Sequence, residues 1–100
     1  MNRLAISAAA LADILDIISY YSRDEYLPED QFFWFALENC LLRVKENPDL
    51  YRALGHGCRI ATVRRFPFCV SYHHADGEVV ITAVFRESQM PEVRRVPRKD

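Results

Sequence analysis

The 100-residue sequence predicts an α+β fold in the order β-α-α-β-β-β, a helical hairpin packed on one face of a small antiparallel sheet. Three observations carry that expectation. Apolar residues recur at helical spacing over two segments of the N-terminal half. Three strand-like segments follow one another in the C-terminal half. Proline and glycine punctuate the joins, at Asn47-Pro48, Phe66-Pro67 and Asp76-Gly77.

Residues 3–6 read as a short first strand. Ser7 suits a helix N-cap, because its hydroxyl can accept from an orphan amide of the first turn. The first helix is expected over about 8–22. Leu11, Ile14, Leu15, Ile18 and Tyr21 form its apolar face, and Asp13 and Asp16 lie off it. Residues 23–27 read as a connection. Pro28 suits a first helical position, and Glu29 and Asp30 suit the positive end of the helix dipole.

The second helix is expected over about 29–46, ended by Asn47-Pro48 because the residue before proline is pushed out of the helical region. Phe33, Leu37, Cys40, Leu41 and Val44 form its inward face. Phe32, Phe35 and Leu42 form a second stripe, with Trp34 beside it, where an amphipathic helix needs only one. Two readings are open: the helix is covered on both sides, or the second stripe is a docking groove for another chain. Residues 49–58 read as a loop whose glycine spacing matches no phosphate-binding signature.

Strands are expected over about 58–65, 68–73 and 78–86. Phe68, Val70 and Tyr72 alternate with Cys69, Ser71 and His73. In the last strand Val79, Ile81, Ala83 and Phe85 oppose Val80, Thr82, Val84 and Arg86. Both of its faces are apolar, which predicts a central strand. Residues 87–100 read as a tail with two prolines and alternating charge.

A chain of this length is expected to form one domain with a modest core. Half its residues are hydrophobic, which argues against disorder. The formal charge is −1, but residues 1–50 carry four basic against nine acidic residues and residues 51–100 nine against five. A basic half suits an acidic partner or target, or simply solvates the surface. Cys40, Cys58 and Cys69 show neither zinc spacing nor a disulfide framework, so free thiols in the cytoplasm are expected. Asp13 and Asp16 interrupt the apolar start, which argues against a signal peptide or membrane span. No metal or cofactor is implied.

Arg59, Arg64, Arg65 and Arg86 are the candidate cations for an anionic target. Cleaving RNA would also need a base and an acid, for which Tyr72 and His73 are the weak candidates beside Arg65 and Arg86. Tyr72 falls on the core face. Arg64 and Arg65 are adjacent, so in a regular strand they would point to opposite faces. The residues therefore lean away from catalysis, and the basic strands read better as a recognition surface.

The order of elements, with Glu46-Asn47-Pro48 closing the second helix, Arg64-Arg65-Phe66-Pro67-Phe68 opening a strand, Tyr72 within it and Asp76-Gly77-Glu78 before Val79-Val80-Ile81, resembles the RelE/ParE superfamily of toxins from type II toxin–antitoxin modules. The likeness runs from Leu4 to Pro91 and is closer to the ParE, or plasmid stabilisation, branch. It implies a cytoplasmic toxin that inhibits a protein target, DNA gyrase, and is neutralised by the C-terminal segment of a cognate antitoxin. Phe32, Trp34, Phe35 and Leu42 would meet that antitoxin, and a homodimer or a hetero-oligomer with antitoxin is left open. The RelE branch instead implies ribosome-dependent cleavage of mRNA, and a third reading keeps antitoxin binding without toxicity. Family members often end the last strand in a His-x-Arg-Arg-like run; here only Arg86 matches it.

Overall fold

The computed structural model describes residues 2–23 and 29–89. The expected connection over 23–27, the Pro28 helix start and the tail beyond Gln89 fall, apart from Arg23, outside the described residues. The elements are β1 (Arg3–Ile6), α1 (Ala8–Tyr21), α2 (Glu29–Glu46), β2 (Arg52–Gly55), β3 (Cys58–Val63), β4 (Phe68–Ala75) and β5 (Glu78–Arg86), with 3-10 turns at Pro48–Leu50 and Glu87–Gln89. The strands form one sheet in the order β1-β5-β4-β3-β2. Strands β2 to β5 run as an antiparallel meander, and β1 adds in parallel beside β5. Both helices pack on one face, so the fold is α+β.

Burial follows directly from side-chain spacing on α2. Phe33, Leu37, Cys40, Leu41 and Val44 are all buried, against Ala61, Val63, Phe68, Val70, Tyr72, Val79, Ile81 and Val84 of the sheet. Four rings close one end of this core. Tyr21, Phe66 and Phe68 surround Phe33, with Phe66 and Phe68 each 5.4 Å from it, edge to face.

The first helix is rotated from its expected face. Ala10, Ile14 and Ile17 are buried, whereas Leu11 and Leu15 are exposed at 49% and 58%. Side-chain hydrogen bonds explain the rotation. Ser7 caps α1 by accepting from Ala10 N at 3.0 Å, and its own amide donates to Ile81 O at 2.9 Å. Asp13 turns toward the sheet, where its Oδ2 accepts from Val84 N at 3.0 Å. Pairing of β1 with β5 ends at Ile6 opposite Ile81, so the Ser7 hydroxyl, donating to Thr82 O at 3.3 Å, and the Asp13 carboxylate take up backbone groups on the β5 edge beyond it.

That edge carries a second departure from the expected alternation. Ser71 pairs with Ala83 but Tyr72 pairs with Ile81, leaving Thr82 as a bulge. The bulge switches the parity of β5, so Val84 rather than Ala83 joins Val79 and Ile81 in the core. Arg86 follows Val84 onto the helix-covered face. Ser71 and Thr82 satisfy each other across the bulge, with hydroxyls 2.8 Å apart and Thr82 Oγ1 donating to Ser71 O.

Two boundaries also move. Residues 52–55, expected as loop, form the edge strand β2, because Gly55, His56 and Gly57 all take positive φ and turn the chain back onto β3. Strand β3 stops at Val63 rather than 65. Arg65 adopts φ +70 and Phe66 N donates to Val63 O at 3.3 Å, which places both arginines in the β3–β4 turn.

The segment after α2 is held by polar side chains. Tyr72, fully buried, donates its hydroxyl to Pro48 O at 2.6 Å. Arg59 donates to Tyr51 O at 2.7 Å and Asp49 O at 3.4 Å. His74 Nδ1 sits 3.4 Å from Asp49 Oδ1.

Removing the Asp13 carboxylate leaves the Val84 amide without its acceptor. Asp13→Ala is expected to cost about 1–3 kcal/mol in urea unfolding, where Asp16→Ala, which makes no such bond, stays within about 0.5 kcal/mol. Burial pushes the Tyr72 phenol up to about 12, above its ordinary value of 10. An unfolded tyrosine then ionises first, so the Tyr72 contribution is complete below pH 10 and is lost as pH rises toward about 12. Stability measured at pH 8 and pH 11 should fall more in the wild type than in Tyr72→Phe.

Candidate functional site

A groove runs beside α2. It encloses about 830 Å³ and is lined by Phe32, Ala36, Asn39, Leu42, Arg43 and Glu46 from the helix and by Arg64, Arg65 and Phe66 from the β3–β4 turn. The helical residues follow steps of three and four, a single stripe about 21 Å long at 1.5 Å per residue. Phe32 and Leu42 are 55% and 52% exposed, so the apolar stripe is not covered by the fold. The expectation that a sandwiched helix accounts for these side chains does not hold.

The groove joins two sets of residues that the sequence kept apart. Arg64 and Arg65 stand opposite the apolar flank of α2 because the turn that carries them is anchored. Phe66 packs edge to face against both Tyr21 at 5.6 Å and Phe33 at 5.4 Å. Pro67 O accepts from Glu87 N at 3.0 Å on the far side of the turn. Arg65 holds a left-handed φ of +70 in spite of its Cβ, a conformation that costs about 1–2 kcal/mol and needs surrounding contacts to persist. Neither arginine makes an ion pair with a described residue. Arg43 reaches the same wall, donating to Thr62 O at 3.4 Å. Arg43 and Arg64 both oppose the upward shift that burial gives the Cys40 thiol behind the groove.

The remaining candidates are dispersed. Trp34 and Phe35 are exposed but lie outside the groove lining. Arg59 faces inward on the Asp49 and Tyr51 carbonyls. Tyr72 is enclosed and bonded to Pro48 O, with its phenol shifted away from easy ionisation. His73 points to the face opposite the helices, where Nδ1 donates to Gly57 O at 3.0 Å. Arg86 lies over Phe68 at 5.0 Å and Tyr20 at 5.7 Å, at the rim of a second hollow of about 310 Å³ shared with Asp13 and Asp16. Burial pushes the Cys69 thiol up to about 11, with Glu87 adding to the shift, so it is not a poised nucleophile. Arg65, Arg86, Tyr72 and His73 thus occupy four separate places, and neither Tyr72 nor His73 lines the groove that holds Arg65 or the hollow that holds Arg86.

Sequence reasoning missed Ala36, Asn39, Arg43, Glu46 and Phe66 as groove residues. The helical spacing of residues 32, 36, 39, 43 and 46 was a usable signal, but Phe66 needed the tertiary contact to Phe33. Tyr20 was missed as well: its exposed ring sits between the guanidiniums of Arg23 at 5.6 Å and Arg86. Among the described residues no group of His, Cys, Asp or Glu is disposed to hold a metal ion, and no helix is long and apolar enough to cross a membrane.

Comparison with known proteins agrees with the fold. No curated protein matches the chain. A solved structure described as the chromosomal ParDE TA system from P. aeruginosa superposes with a TM-score of 0.62 at 23% identity, covering 86% of this chain and 96% of that one. Residues 4–91 match the family described as ParE toxin of type II toxin-antitoxin system, parDE. With that match spanning most of the sequence, the chain belongs to the ParE toxin family of type II toxin–antitoxin systems.

Proposed function

We propose that this protein is a cytoplasmic toxin that acts by binding DNA gyrase and is neutralised by a cognate antitoxin seated in the α2 groove. Membership of the ParE family supports a protein target and an antitoxin partner. The observation that carries the binding reading is the dispersal of the titratable groups. Phosphoryl transfer from a ribose hydroxyl needs a base, an acid and cations around one phosphate. Here Tyr72 and Arg59 are spent on holding the segment after α2, and His73 faces the other side of the sheet.

The groove supplies what a binding mode needs. An exposed apolar stripe beside fixed cations gives burial and orientation together. A partner segment that orders on binding would offset its entropy cost with the contact area along α2. Arg64 and Arg65 remain the leading residues for recognition. Arg86 is a second target-facing candidate at the rim of the smaller hollow.

Purified toxin freed of antitoxin should block supercoiling by gyrase and leave translating mRNA intact. Intact supercoiling together with cut mRNA would reverse the reading. Leu42→Glu, on an exposed position, should leave the fold unchanged by circular dichroism and weaken antitoxin binding at least tenfold by calorimetry. Unchanged affinity would remove the groove from the antitoxin interface.

A further inference from the structure

The hollow between α1 and the end of β5 holds a cation that the fold positions but leaves without an ion pair among the described residues. The Arg86 guanidinium lies over two rings, 5.0 Å from the Phe68 centroid and 5.7 Å from that of Tyr20. We infer that Tyr20 is the positioning residue for Arg86, and that the stack of Arg23, Tyr20 and Arg86 presents this guanidinium to a carboxylate on the target protein. This inference rests on the toxin acting through gyrase. It assigns Tyr20, and Arg23 beyond it, a part in that contact.

The stack is assembled from segments distant in the chain. Tyr20 lies in the last turn of α1, Arg23 just past its end and Arg86 at the end of β5. Phe68 is buried and supports Arg86 from the core, whereas Tyr20 is 50% exposed and supports it from the surface. On the Tyr20 ring Arg23 adds a second positive charge, 5.6 Å from the centroid. A guanidinium resting on rings keeps its N–H donors free, and its planar fork matches a carboxylate through two parallel bonds. Neither Arg23 nor Arg86 makes an ion pair with a described residue, although Asp13 and Asp16 line the same hollow. Asp13 is committed instead to the Val84 amide. A side chain held in advance loses less freedom when its partner arrives, so the rings favour binding without touching the target. Duplex DNA fits less well, since its phosphate track calls for a row of cations and two carboxylates flank this pair.

The test is inhibition of gyrase supercoiling by the purified toxin and its variants, with folding checked by the urea midpoint. Tyr20→Leu removes the ring and should raise the half-inhibitory concentration at least tenfold. Tyr20→Phe keeps the ring and should restore inhibition to within twofold of the wild type. Arg86→Lys keeps the charge but loses the fork, and it should match the loss in Tyr20→Leu. It carries the test independently, because no described hydrogen bond ties the Arg86 side chain to the fold. The double variant should be no worse than either single one, since both remove the same contact. Calorimetry with DNA-free gyrase should give the same ranking. Wild-type potency in Tyr20→Leu or Arg86→Lys, or losses that multiply in the double variant, would overturn the inference and leave the gyrase reading standing. Intact supercoiling with the wild-type toxin would overturn both. Binding that appears only when DNA is present, or binding of a free duplex that Arg86→Lys loses, would overturn the inference in favour of nucleic acid.

Discussion

The edge-to-face contact between Phe33 and Phe66 is the joint on which the candidate site depends. Phe33 belongs to the buried face of α2, and Phe66 to the turn between β3 and β4. Their contact joins an exposed helix flank to a cationic turn across 33 residues of sequence. Without it, Arg64 and Arg65 would sit on a free hairpin tip, and the α2 stripe would be an isolated apolar patch. With it, the two become facing walls of one groove. Tyr21 and Phe68 complete the ring cluster, so both helices and the central sheet support the joint.

Polar side chains divide into those that build the fold and those left over. Asp13, Ser7, Tyr72 and Arg59 each satisfy backbone groups at an irregular place: the bulged strand edge, the helix start or the segment after α2. Such bonds matter because an unpaired buried backbone group costs more than a made bond gains. Arg64 and Arg65 are different in kind. Among the described residues they satisfy no fold-building group, and they stand beside exposed apolar surface. A site read from function-like residue types would rank Tyr72 and Arg59 beside them; the hydrogen-bond partners separate the two groups.

Much of the fold was legible in the sequence because burial imposes simple periods. The inward face of α2 follows from spacing alone, and so does the alternation of Phe68, Val70 and Tyr72. The failures are physical and local. The α1 face could not be read because Leu11 and Leu15 suit a core as well as Ile17 does, and the rotation is fixed by the Ser7 and Asp13 bonds to β5. The parity of β5 depended on a bulge at Thr82, which no periodic pattern announces. The groove was half legible: Phe32 and Leu42 stood out as surplus, while their closeness to Arg64 and Arg65 rests on a ring contact distant in sequence.

The central claim is that one continuous surface, made of the α2 flank and the arginine turn, receives the partner. Amide hydrogen exchange of the protein alone and in complex with its antitoxin tests it most directly. The account predicts new protection at residues 64–67 and along α2 on complex formation, with the β2 edge unchanged. Protection confined to β2 and the sheet face opposite the helices, with the turn exchanging as fast as in the free protein, would contradict it.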